Sequence, residues 1–199
     1  GSGALGFTGV GTSTGTLTVS GGAVTYSGNA QTAFSTNVVN QTGSLILDNS
    51  TSKVNNRLGG LLKSLTLNGG ELKIIGSSSG TFESLGALNA PTSGTAILTL
   101  QPGSGATTVN FNTVPALAAG SLYLLRGTSL GSTPAAGVSN IFASTVALNG
   151  GSGLPGFNTI SIRPDMLGDT SATGSGTGRR ISKPIPRRRW AGATSPTWC

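Results

Sequence analysis

Few side chains in this sequence could do chemistry. Histidine is absent, which removes a Ser-His-Asp triad, a Cys-His pair and most zinc sites. The single cysteine, Cys199, is the last residue; it has no base beside it and no partner for a disulfide within the chain. Two carboxylate pairs are left for glycosidase-type work, Glu71 with Glu83 and Asp165 with Asp169. Glu71 follows a Gly-Gly corner and alternates out of the Leu72/Ile74 face, where a solvated charge belongs. Gly151-Ser152-Gly153-Leu154-Pro155-Gly156 spells the G-x-G-x-x-G of a pyrophosphate cradle. A strand pattern, Phe157 to Ile162, follows it where a helix N-terminus is needed, so the anion site is missing. No Asp stands where a Gly-Gly-x-Gly-x-Asp calcium repeat needs one. No catalytic, cofactor-binding or metal-ligating residue is assigned, no cofactor is expected, and the chain is not expected to be an enzyme.

Charge offers one more candidate. The formal net charge is +7, which suggests an anionic partner until its location is considered. Residues 1–177 carry six basic side chains against five acidic ones. The other six cations, Arg179, Arg180, Lys183, Arg187, Arg188 and Arg189, all lie in the last stretch, where Trp190 adjoins them. Arg next to an aromatic is the chemistry of a polyanion or single-strand nucleic-acid site. A solvated tail has the same composition, and so does a shifted reading frame in GC-rich coding DNA. The chain therefore divides into a body, 1–177, and a basic Arg/Pro-rich tail, 178–199, expected to be unstructured or frame-shifted.

The elements that would position any site are short strands. Charged residues are only 9% of the chain and glycine supplies 33 of its 199 residues. Helix formers are scarce, while Ser, Thr, Asn and Gly ask the backbone to turn often. One phrase recurs: Leu17-Thr18-Val19-Ser20-Gly21-Gly22, Leu45-Ile46-Leu47-Asp48-Asn49, Leu65-Thr66-Leu67-Asn68-Gly69-Gly70, Leu98-Thr99-Leu100-Gln101-Pro102-Gly103 and Val146-Ala147-Leu148-Asn149-Gly150-Gly151. Strict alternation puts the outer two apolar residues on one face of a strand and the middle residue on the other. Further alternating stretches are Val24–Tyr26, Leu72–Ile74, Val109–Phe111, Leu122–Leu124 and Ile160–Ile162. Such strands could pair as hairpins through the Asn-Gly steps. They could instead stack coil upon coil, with the same steps as corners, and repetition of the phrase favours stacking because like residues then lie above like.

The motifs also carry a family resemblance. Val54-Asn55-Asn56-Arg57-Leu58-Gly59-Gly60, then Leu65-Thr66-Leu67-Asn68-Gly69-Gly70-Glu71-Leu72, then Glu83-Ser84-Leu85-Gly86-Ala87-Leu88 resembles the autotransporter-associated β-strand repeat of large bacterial surface proteins. The likeness is strongest from about Gly43 to Leu100, and Arg163 to Gly174 resembles segments between such repeats. It implies an exported β-helical passenger that acts as a stalk, adhesin or matrix component, and it names no catalytic residue. The sequence leaves the family pattern after Gly178, where a further strand-bearing segment would follow.

The expected fold is all-β, a right-handed parallel β-helix or β-solenoid with an irregular C-terminal tail. Leu17, Val19, Leu45, Leu47, Leu65, Leu67, Leu72, Ile74, Leu98 and Leu100 are expected inside, with Arg57 bonding carbonyls at a turn. The expected function is that of an extracellular structural or adhesive scaffold on the outer surface of a bacterium. Its expected partners are neighbouring repeats or identical chains. The alternatives are a carbohydrate-binding or carbohydrate-cleaving β-helix acting on surface glycans, and nucleic-acid binding through the tail. No stretch is apolar enough to span a bilayer, and the start at Gly1-Ser2-Gly3 without methionine is expected of a segment from a larger precursor.

Overall fold

A computed structural model describes residues 3–89, 91, 94–116, 120–147, 149–150, 161–162, 165–176, 179–180 and 197–198. Their regular structure is all-β. The strands are β1 (Ala4–Phe7), β2 (Thr16–Val19), β3 (Gly22–Tyr26), β4 (Thr36–Asn40), β5 (Gly43–Asp48), β6 (Ser64–Asn68), β7 (Glu71–Ile75), β8 (Thr81–Asn89) and β9 (Gly94–Gln101). They continue with β10 (Thr107–Val114), β11 (Ser121–Gly127), β12 (Ser139–Val146), β13 (Asn149–Gly150), β14 (Ser161–Ile162), β15 (Met166–Asp169), β16 (Arg179–Arg180) and β17 (Thr197–Trp198). Successive strands of the body are dealt alternately to two sheets. One runs β1-β3-β5-β7-β9-β11-β15-β16 and the other β17-β12-β10-β8-β6-β4-β2. From β1 to β15 every pairing within these two sheets is parallel. Up to β12 each strand therefore bonds the strand after next, and the Asn68-Gly69 step is a corner between sheets, because a tight hairpin can only join antiparallel neighbours.

Register explains the repeated phrase. In the first sheet Val24, Leu45, Leu72, Leu98 and Leu125 fall opposite one another, and so do Tyr26, Leu47, Ile74 and Leu100. All of these are buried. The copies do not form one column, however. Leu45 and Leu98 belong to the first sheet, Leu17 and Leu65 to the second. Between Leu17 and Leu65 the register places Asn37, a wholly buried amide whose Nδ2 donates to the Ser64 carbonyl at 3.4 Å. The expected interior residues are buried, apart from Leu17, which is half-buried and packs against the core. Thr18 and Thr66 lie outside as expected, while Thr99 is covered, its hydroxyl donating to Glu71 Oε1 at 2.6 Å.

The corners also stack. Asn68 Nδ2 donates to Asn40 Oδ1 at 3.2 Å, and Asn40 Nδ2 to Ser20 Oγ at 3.1 Å. Beside them Gly69 has φ +80°, a conformation L side chains avoid. A Cβ on Gly70 would lie 2.6 Å from the Asn40 carbonyl oxygen, so this corner has no room for a side chain. The fifth copy of the phrase departs from the others. Its strand, β12, ends at Val146, and Asn149–Gly150 pairs antiparallel with Ser161–Ile162. A hairpin thus stands where a corner is predicted. The G-x-G-x-x-G stretch, 151–156, lies outside the described residues.

Candidate functional site

Outside the two runs of strand, the segment 49–58 has no ladder of its own and must satisfy its polar backbone otherwise. Asn55 and Asn56 do part of this with side chains that take the place of peptide carbonyls. Asn55 Oδ1 accepts from the Phe82 N–H at 3.0 Å and Asn56 Oδ1 from the Ser84 N–H at 2.8 Å. The Asn56 N–H in turn donates to the Phe82 carbonyl, and the Thr32 N–H to the Arg57 carbonyl. Asn56 stands at φ 54°, a left-handed conformation that Asn tolerates better than most residues.

Arg57 does the rest. Its guanidinium is wholly buried and points at carbonyls. Nη1 donates to Ala30 O at 2.7 Å; Nη2 donates to Gly28 O, Ser52 O and Asp48 O at 2.8, 2.9 and 3.0 Å; Nε donates to Asn49 Oδ1 at 3.0 Å. Arginine suits this position because its planar fork carries five donors and keeps its charge when buried. Asn49 Oδ1 accepts again from the Val54 N–H, which closes the turn. One side chain so ties the 28–30 turn to the 48–52 turn, the expected bonding of carbonyls.

Glu83 completes the node from β8. In register its position equals those of Val109 and Ile141, two inward-facing core residues, so strand geometry forces its carboxyl into the interior. Oε1 accepts from the Arg57 N–H at 3.0 Å, while Oε2 has no partner. Burial pushes this carboxyl up to about 7, against the backbone N–H groups of Arg57 and Leu58 and the Arg57 charge. Burial likewise pulls the Arg57 guanidinium below its ordinary value, with Glu83 and Asp48 opposing. The node is closed to substrate: both groups are wholly buried and their donors point at protein atoms.

The first carboxylate pair is split between the sheets, with Glu71 on β7 and Glu83 on β8. Asp169 accepts from the Ser171 N–H at 2.9 Å, in a turn of its own. No group of three metal-ligating side chains occurs among the described residues. Of the tail, Arg179–Arg180 forms β16 and Thr197–Trp198 forms β17; Lys183, Arg187, Arg188, Arg189, Trp190 and Cys199 lie outside the described residues. Among the described residues, no helix is long and apolar enough to cross a membrane. The burial of Glu83 and of Asn37 was not foreseen. The spacing held a signal for the first, since Glu83 follows Arg57 by 26 residues, the same offset that separates the paired residues Thr81 and Thr107 of β8 and β10.

No family model matches the chain, and neither the curated proteins nor the solved structures contain a match.

Proposed function

We propose that the body is a right-handed parallel β-helix serving as a structural or adhesive scaffold on the outer surface of a bacterial cell. Right-handedness follows from the near-universal hand of parallel crossovers. The observation that carries the reading is the ladder itself: two parallel sheets that advance together, with like residues stacked at core and corner. Chemistry in such a body is spent on holding coils together. Its most elaborate polar group, around Arg57, is internal. What such a body offers outward is length and repeated faces, which suit contact with other coils or identical chains. The resemblance of the 54–88 motifs to surface-protein repeats points the same way.

Sedimentation velocity over a range of concentrations tests the scaffold, with elongated particles and growth on concentration as the expected outcome. Specific retention on a glycan array, or cleavage of a polysaccharide, would replace it with the carbohydrate reading. Salt-sensitive binding to nucleic acid that vanishes when residues 179–199 are deleted would replace it with the polyanion reading.

A further inference from the structure

The two ends of the stack differ. At the N-terminal end β1 and β2 each have one described partner, and their outer edges face no described strand. At the other end both sheets finish on a strand from the tail, and both of those strands run antiparallel. Leu167 and Gly168 of β15 pair with Arg180 and Arg179, and Ile141 and Phe142 of β12 pair with Trp198 and Thr197. Every earlier rung is parallel, and a further coil of the same kind would be parallel too. An antiparallel strand on each last rung occupies the backbone donors and acceptors that coil would need. It also reverses the polarity of the edge.

The last rungs need cover. Buried apolar side chains persist in the last coils, where Phe111, Val114, Leu125, Ile141 and Met166 line a small gap. An uncovered rung would present both unpaired peptide groups and the rim of that gap, a template for pairing with another chain. Charge on an outer strand is a usual means of making an edge unattractive to further strands, and the strand that closes β15 is Arg179–Arg180.

We infer that the basic tail is a cap: its two antiparallel strands close the C-terminal rungs of both sheets and stop the stack from growing at that end. This inference is independent of the scaffold reading, since it concerns edges within one chain.

Hydrogen exchange read by mass spectrometry tests it, with Cys199 kept reduced, on the full chain and on a chain ending at Gly176. Loss of the cap is expected to speed exchange roughly tenfold in peptides holding Ile141–Phe142 and Leu167–Gly168, with Leu45–Leu47 unchanged. The shortened chain should also form larger species in sedimentation, and a synthetic 177–199 peptide added in trans should restore protection. Unchanged exchange and unchanged mass would overturn the cap. Should the shortened chain not fold, the full chain with Arg180→Pro and Thr197→Pro decides. Faster exchange confined to the two rungs supports the cap, and protection equal to that of the unaltered chain overturns it. A full chain that stays monomeric at every concentration counts against the scaffold and leaves the exchange result to be read on its own.

Discussion

The wall of β3, β5, β7 and β9 and the turn at 49–58 solve one problem by different means. Both must hold a coil onto its neighbour. In the wall, the backbone pairs with itself and the side chains need only be apolar and of fitting volume, so Leu, Ile and Val interchange down a column. In the turn, the backbone has no regular partner, and named polar atoms of Asn49, Asn55, Asn56, Arg57 and Glu83 stand in for it. The difference teaches where this sequence is free and where it is not. A column tolerates substitution because dispersion and burial are non-directional, whereas a bond from one guanidinium to four carbonyls fails as a unit.

Arg57→Ala is the severest way to break that contrast. It strands the carbonyls of Gly28, Ala30, Asp48 and Ser52 and leaves Glu83 without its compensating charge. A loss of about 4 kcal/mol is expected in denaturant melts. Arg57→Lys should recover less than half, since an ammonium has three donors in place of a fork of five. Recovery to wild-type stability would show that charge alone matters and the geometry does not.

The pH dependence of the node comes next. Because the Glu83 carboxyl is raised to about 7 in the fold from its ordinary 4.5, the folded chain binds more protons than the unfolded chain between those values. Its contribution is then fully present below pH 4.5 and is lost as pH rises through 7, a change on the order of 3 kcal/mol. Glu83→Gln should flatten this limb of the stability profile relative to wild type. A wild-type profile that rises across the same interval, with the variant flat, would mean that Arg57 outweighs burial.

Ile74→Val tests the wall. Ile74 is wholly buried between Leu47 and Leu100, and loss of one methylene should cost about 1 kcal/mol, with no change in exchange protection at the 49–58 turn. The smallest effect belongs to Asn37→Val, which removes a long bond to Ser64 and a buried oxygen that has no partner. The two losses nearly cancel, so the melt should move by less than about 0.5 kcal/mol. A large loss there would show that this amide, set between Leu17 and Leu65, fixes the register of β4.

Alternation and repetition are local properties, and for that reason β3, β5, β6, β7, β9 and β10 were legible from residues such as Val24, Leu45, Leu67 and Leu72. The second sheet was harder to read. Thr36-Asn37-Val38-Val39-Asn40 has no clean alternation because an amide occupies an inward place; in the first sheet β15 was equally hard, a four-residue strand broken by Gly168. Of the node, the bonding of Arg57 to carbonyls could be anticipated from an arginine set among turn residues. Its partner could not, since Glu83 looks like any surface glutamate until register sets it in line with Val109 and Ile141.

By itself the sequence determined that the body is made of short strands with tight glycine corners and has almost no titratable chemistry. Those are consequences of side-chain period and of which residue types are present. Only the tertiary structure decided that the copies of one phrase fall into two different sheets, that a glutamate is inward, and that the tail's strands run against the rungs they pair with. Each of these depends on which distant segments meet, and hydrogen bonding between their backbones sets that meeting.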